Sequence, residues 1–179
     1  MDPSPKDLAA QIDDATTLLL DTAARLTDEQ AGQPSLLPGW SRGHLLTHIA
    51  RSGDVLRSLL DGARTGVPGS GYADAQAREA DIEAGARRSV TELTADLRES
   101  AARWQAAVDA MPDECWATEV SLQGFPRVPA SRLLIVRLVE IELHHVDLGL
   151  DYRSTDWPTT FNELELKEPQ RGQRADRLA

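Results

Sequence analysis

The sequence predicts an all-α fold, and within that class a bundle of four long helices. Two observations lead to this prediction. Apolar residues recur every three or four positions through four long stretches, which is the period of a helix. No segment shows the strict alternation of apolar and polar residues that is typical of a half-buried β-strand. Four long helices joined by connections of varied length favour a bundle.

Composition narrows the class of protein. The chain has 179 residues, which suits one domain with a sizeable core. Its formal net charge of -10 argues against binding to nucleic acid or to anionic membranes, because both need lysine and arginine. No apolar run reaches the roughly 18 residues of a membrane span. The N-terminus lacks a signal-peptide pattern and the single cysteine excludes an internal disulfide, so we expect a cytoplasmic protein.

The first predicted helix covers about residues 5–26, with Pro5 in its first turn. Prolines and glycines then predict a loop as far as Trp40. The second helix begins after Ser41, a suitable N-cap, and runs to about Leu60.

The third predicted helix covers about residues 73–110 and is broken near Gly85; alanine, glutamate and arginine dominate it. A loop or short hairpin follows over residues 113–129. The fourth helix covers residues 131–152, and a short helix follows from Pro158 to about Leu166. We therefore expect one bundle domain over residues 1–167 and a polar tail over residues 168–179 that frays.

The fourth helix carries the first functional signal. It has two apolar faces, so it should be largely buried, unlike a surface helix with one apolar stripe. Between these faces runs a polar strip that should face inward or line a cavity, made of Arg137, Glu140, His144, Asp147 and Asp151. Buried charges are costly unless they are paired or bind a metal. The strip is therefore a candidate site.

The four histidines give the second signal, because all of them lie on the second and fourth helices. Glu140 and His144 are four residues apart, so both side chains can reach one point from one helix. His48 on the second helix is the natural third ligand. Two imidazoles and one carboxylate suit zinc or another divalent ion and leave a coordination position open.

Structural roles are open for each of these residues. Glu140 can instead pair with Arg137 or Arg51, and His48 and His144 can be hydrogen-bonded core histidines. We expect His145 to pack in the core. Asp147, one turn beyond His144, either orients an imidazole from behind or pairs with an arginine. Three residues are candidates for holding a carboxylate of a thiol or substrate: His44, Arg51 and Arg137.

Two segments resemble a known family. The first is Leu37–Arg51, LPGWSRGHLLTHIAR, which resembles the LPGW segment of the mycothiol-dependent maleylpyruvate isomerases, within the DinB-like superfamily. The second runs from Arg137 to Tyr152 and is similar to the family's R-x2-E-x3-H-x-VDL segment. Asp156-Trp-Pro continues the likeness, which spans roughly residues 8–165.

The resemblance implies a DinB-like four-helix bundle whose metal is held at the positions of His48, Glu140 and His144. It also implies mycothiol as cofactor. A metal-bound thiol is deprotonated, and the thiolate is the nucleophile. In the isomerases it would add to a conjugated cis double bond, the new single bond would rotate, and elimination would release the trans product. In sister enzymes the thiol is transferred to an electrophile and stays there.

The isomerases carry a further C-terminal α/β domain that contributes to the substrate site, whereas 18 residues follow Phe161 here. Metal and thiol binding need only the bundle. The sequence thus favours a metal-dependent, thiol-using S-transferase or cis–trans isomerase acting on a small electrophile. Two alternatives are a DinB-like module that binds a metal or small molecule without turnover, in a stress or regulatory role, and a metal-free helical interaction protein.

Overall fold

The computed structural model describes residues 3–69, 71–121 and 127–178. Four long helices surround one core, α1 (Pro5–Ala24), α3 (Arg42–Thr65), α5 (Val90–Asp109) and α6 (Arg132–Asp147). Helix α1 packs on α5 and α6, and α3 packs on the same two helices. This closed arrangement confirms the predicted four-helix bundle. Among the described residues, no helix combines the length and the hydropathy needed to cross a lipid bilayer.

Serine caps fix the starts of two of these helices, α3 and α5. The Ser41 side chain accepts a hydrogen bond from the backbone N–H of His44, as the predicted cap of α3 should. The predicted break near Gly85 is also confirmed: α4 (Ala75–Gly85) ends there, and Ser89 caps the separate helix α5. The site-bearing helix α3 therefore begins at a defined residue, and α4 is free to take its own direction across it.

Several predicted boundaries are wrong. The loop before Trp40 contains a short helix, α2 (Asp28–Gly32), capped by Thr27. The second predicted helix extends to Thr65, and Pro158 starts only a single turn, α7 (Thr159–Asn162). Helix α6 stops at Asp147 rather than at residue 152. It stops because Gly149 adopts a left-handed conformation with φ of 65°, which the sequence pattern alone does not reveal.

The hairpin predicted within residues 113–129 is present as two short antiparallel strands, β1 (Glu119–Val120) and β2 (Val128–Pro129). Residues 122–126 between them lie outside the described part of the chain. Glu119 is in register with Pro129. The hairpin leads directly into α6.

The expectation of a frayed tail is wrong. Helix α8 (Gln170–Asp176) packs against α6. Gln170 is 4% exposed, and its Oε1 accepts a hydrogen bond from Arg132 Nη2 at 3.0 Å. Arg174 Nη1 donates to the carbonyl oxygen of Phe161 at 2.8 Å. The polar residues that suggested fraying are thus the residues that attach this segment to the bundle.

Candidate metal centre

Three side chains predicted as ligands meet where α3 packs on α6. His48 projects from α3, and Glu140 and His144 project from successive turns of α6. Their potential ligand atoms all lie within 4.8 Å of one another. Glu140 Oε2 is 3.0 Å from His48 Nε2 and 3.8 Å from His144 Nε2. The two imidazole rings meet edge to face, with centroids 4.9 Å apart.

One atom of this cluster tests whether the residues fit a metal. Glu140 Oε2 is buried and accepts no hydrogen bond from any described residue, even though His48 Nε2 lies only 3.0 Å away. A buried carboxylate oxygen without a hydrogen bond carries a free-energy penalty, which a cation can remove. The Glu140 side chain as a whole is 27% exposed, so the cluster is accessible. The donor set and its geometry fit a divalent ion.

The protonation states also suit metal binding. Burial alone would raise the pKa of Glu140, but the two imidazoles and the Ser52 hydroxyl outweigh it and hold that pKa well below its usual range. Burial lowers the pKa of His48, and the neighbouring Glu140 only partly opposes this effect. At neutral pH the cluster therefore contains an ionised carboxylate and a neutral His48 imidazole. Both are the forms that coordinate a metal.

Asp147 fixes the tautomer of His144. Its Oδ2 lies 2.8 Å from His144 Nδ1, and the same carboxylate is bound by Arg177. Burial would raise the pKa of Asp147, but His144 and Arg177 lower it, so the carboxylate is ionised. An ionised carboxylate only accepts, so Nδ1 carries the proton and the lone pair of Nε2 is directed to Glu140. Asp147 thus contacts both an imidazole and an arginine, and its role behind a metal ligand stays a prediction.

Two residues without a predicted role complete the surroundings. Arg78 from α4 places Nη2 at 3.2 Å from His48 Nδ1, and its guanidinium lies 5.7 Å from the ring centroid of Trp40. Trp40 meets the His48 ring edge-on at 5.5 Å. Trp40 belongs to the LPGW segment, so the sequence did contain a signal for this residue. Arg78 lies in an alanine-, glutamate- and arginine-rich helix that offers no signal.

The residues predicted to hold a carboxylate have other partners here. His44 Nε2 is 2.9 Å from Glu83, and its Nδ1 accepts from the backbone N–H of Ser41 at 3.1 Å. Arg51 is ion-paired with Asp96 and, at 3.5 Å, with Asp54. Its charge is therefore largely compensated within the protein.

Arg137 is 1% exposed, so it has almost no surface available to a bound molecule. Its Nη1 donates to the carbonyl oxygen of Ile49 at 2.8 Å. Burial lowers its pKa to about 10, against the opposing charges of Glu140 and Asp54, so it remains cationic at neutral pH. In the described residues no ion pair joins Arg137 to Glu140. It instead supplies a buried positive charge near that carboxylate.

His145 packs in the core, as expected. Its Nε2 lies 2.9 Å from Thr22 Oγ1 on α1, and its ring stacks on Tyr152 with centroids 3.8 Å apart. The adjacent histidines of α6 therefore face different environments, and only His144 faces the cluster.

A family model described as the mycothiol maleylpyruvate isomerase N-terminal domain matches residues 12–149, well over half of the chain. The chain belongs to this family. The resemblance found in the two sequence segments is thereby confirmed, and the matched range includes the whole cluster of His48, Glu140 and His144.

Two solved structures are similar to this family member. One is the crystal structure of the mycothiol-dependent maleylpyruvate isomerase, with 28% sequence identity and a TM-score of 0.85. The other is a histidine-to-alanine mutant of that enzyme, with 27% identity and a TM-score of 0.84. Each match covers 89% of this chain but 66% of the other, so the chain spans slightly under two thirds of these enzymes. No curated protein sequence matches the chain.

Proposed function

We propose that the chain works as a divalent-metal and mycothiol-binding domain in an enzyme that isomerises a small electrophile or transfers the thiol to it. The observation that carries the proposal is the convergence of His48, Glu140 and His144 around an unsatisfied carboxylate oxygen in a member of this family. The similar solved structures are of a mycothiol-dependent isomerase, which supports the thiol and the reaction class.

Zinc is the proposed metal, because two imidazoles and one carboxylate are a common ligand set of catalytic zinc, with a further position open. A bound divalent ion would stabilise a coordinated thiol as its thiolate, the nucleophilic form. The protein residues prepare the site for this. Asp147 holds the proton on Nδ1 of His144, and Arg137 offsets the buried negative charge of Glu140.

Arg78 is the residue we propose to bind an anionic group of the thiol or of the substrate. Its guanidinium lies beside the cluster, and its shortest carboxylate contact among the described residues is 3.7 Å, to the neighbouring Glu79. Arg51 and His44 have closer acidic partners, which makes them secondary candidates. A guanidinium binds carboxylates through paired hydrogen bonds, which also orients the bound group.

The first experiment measures metal content by mass spectrometry after incubation with zinc and removal of the excess. Wild type is compared with His48→Ala and Glu140→Ala, and His44→Gln is the control, because His44 lies one turn from His48 but outside the cluster. We expect equimolar zinc in wild type and in the control, and loss in both ligand variants. Wild type without zinc would exclude the proposed mechanism.

The second experiment tests turnover. Zinc-loaded protein is incubated with mycothiol and a panel of small electrophiles, including cis-configured conjugated acids. Loss of thiol indicates S-transfer, whereas a cis-to-trans change without loss of thiol indicates isomerisation. Zinc binding without either reaction would contradict the proposed catalytic activity. It would favour the alternative of a non-catalytic binding module.

A further inference from the structure

Helix α8 contributes a residue to the surroundings of the metal cluster. Arg177, directly after the helix, binds the carboxylate of Asp147 through two hydrogen bonds, from Nε to Oδ1 at 2.8 Å and from Nη2 to Oδ2 at 2.5 Å. The two residues are 30 positions apart in the sequence. Paired hydrogen bonds from a guanidinium fix both the position and the plane of a carboxylate.

The contact is buried. The side chains of Arg177 and Asp147 are 15% and 4% exposed, which distinguishes this pair from the exposed ion pairs of the surface. Arg177 Nη1 also donates to the carbonyl oxygen of Gln173 at 2.7 Å. All three nitrogen atoms of the guanidinium are thus engaged. A buried pair with these hydrogen bonds has one defined geometry, unlike a surface pair that exchanges with water.

One oxygen of Asp147 joins this pair to the cluster. Oδ2 accepts hydrogen bonds from both Arg177 Nη2, at 2.5 Å, and the Nδ1–H of His144, at 2.8 Å. Displacing the guanidinium would free the carboxylate to rotate, and its hydrogen bond to the imidazole would rotate with it. The direction of the Nε2 lone pair of His144 therefore depends on a residue outside the four-helix bundle.

The helix that carries Arg177 is itself firmly attached. Gln170 at its start is buried and bound to Arg132. Arg174 donates to Phe161, and its guanidinium lies 5.8 Å from the centroid of that ring. These contacts attach α8 to α6 and α7 without the help of Arg177. Removing the Arg177 side chain should therefore leave the helix in place.

We propose that Arg177 is a positioning residue of the metal centre, which acts through Asp147 to hold His144 in the orientation and tautomer that bind zinc. The proposal rests on the proposed function, since it concerns the same cluster. It adds that residues 170–177, beyond the range matched by the family model, set the metal affinity of the bundle.

The test measures zinc affinity by competition with a chromophoric chelator in the full chain. We expect Arg177→Met to weaken zinc binding by about 10-fold to 100-fold, the usual effect of removing a group that orients a metal-binding histidine. Arg177→Lys should recover part of the loss, because it keeps the charge but not the two-pronged geometry. The control is Arg171→Met on α8, whose side chain is 69% exposed and pairs with Glu168.

A double-mutant cycle separates positioning from general destabilisation. In an Asp147→Asn background, Arg177→Met should have little further effect on zinc affinity, because the link to His144 is already altered. The visible spectrum of Co²⁺-substituted protein gives a second readout: Arg177→Met and Asp147→Asn should change it in the same way, and Arg171→Met should not.

Three results would overturn the inference while leaving the proposed function intact. These are wild-type zinc affinity in Arg177→Met, additive losses in the double mutant, or an equal loss in Arg171→Met. If wild type itself binds no zinc, the proposed function fails together with the inference. The two failures are therefore distinguishable in one set of titrations.

Discussion

Arg78 differs from Arg51, Arg88 and Arg103 in how closely an acidic side chain approaches it. Arg51 and Arg88 share the carboxylate of Asp96, and Arg103 binds Asp54 at 2.9 Å. Arg78 instead contacts a neutral imidazole and an aromatic ring, and its ion pair with Glu79 is longer, at 3.7 Å. A guanidinium only donates, and a metal-bound His48 would present an N–H from Nδ1. We therefore expect zinc to displace Arg78 from His48 and make its charge available to an anionic ligand.

The first prediction concerns Arg78→Met. We expect binding of mycothiol or substrate to the zinc-loaded protein to weaken by about 10-fold to 100-fold, the usual range for losing a charged hydrogen bond. Zinc content should be unchanged. Isothermal titration with the thiol measures this, and Arg87→Met is the control, since Arg87 is 79% exposed and pairs with Glu83. An equal loss in both variants would contradict a specific role for Arg78.

A second prediction concerns alkaline pH. Burial, assisted by the carboxylate of Asp81, raises the pKa of Tyr72 to about 12. Burial also raises the pKa of Tyr152, whose hydroxyl donates to Glu142 at 2.6 Å. Unfolded tyrosine ionises near pH 10, so above that pH the unfolded chain loses protons that the folded chain keeps. The contribution of the tyrosines to the free energy of unfolding should therefore fall as the pH rises from about 10 to 12.

Tyrosinate absorbance measures this directly. We expect it to appear together with loss of helical circular dichroism rather than as an independent titration. In Tyr72→Phe the alkaline transition should move to higher pH, because one of the two shifted tyrosines is gone. Tyrosinate formation near pH 10 in a chain that is still fully helical would contradict the prediction.

At the scale of elements, the position of α4 depends on a close approach to α3. A Cβ atom on Gly43 would lie 2.4 Å from the carbonyl oxygen of Ala86, just past the end of α4. A Cβ on Gly85 would meet Thr47 Cγ2 at the same distance. Two glycines thus allow α4 and α3 to approach closely, at Gly43 through the backbone of Ala86 and at Gly85 through the Thr47 side chain. This close approach sets where Arg78 lies relative to His48.

The third prediction follows for Gly43→Ala. The obstructing atom is backbone, so α4 must move away, and we expect a loss of about 1–3 kcal/mol in the free energy of unfolding. Chemical denaturation measures this. The control is Gly32→Ala, because a Cβ there has no atom within 4 Å and the residue has ordinary helical geometry. A similar loss in both variants would mean that the close approach is not responsible.

The end of α6 shows why the sequence did not predict the helix boundaries correctly. The apolar period continues through Leu150 and Tyr152, which predicts a longer helix. Gly149 nevertheless reverses the chain, and the carbonyl oxygen of Asp147 accepts a hydrogen bond from the N–H of Leu36. Tyr152 can then fold back onto His145 and Glu142. A periodic pattern cannot distinguish residues that continue a helix from residues that return to its surface.

Over the whole molecule, the sequence predicted what depends on local spacing. The bundle follows from four helical periods, and the approach of Glu140 to His144 follows from a spacing of four. The contacts of Arg78 with His48 and of Arg177 with Asp147 could not be predicted, because the pattern around each arginine does not indicate its partner. Their approach depends on how α4 and α8 pack, and an exposed arginine has the same local pattern as a buried one.

The last prediction tests whether metal binding stabilises the folded bundle. A ligand that binds only the folded state stabilises it, by about 2.7 kcal/mol when its free concentration is 100 times Kd. For a chain of this length we expect zinc to raise the melting temperature by roughly 5–10 °C. The rise should be absent in Glu140→Ala, present in His44→Gln, and reversed by a chelator. A rise that persists in Glu140→Ala would mean that the ion stabilises the protein from another place, and the predicted cluster would lose its main thermodynamic support.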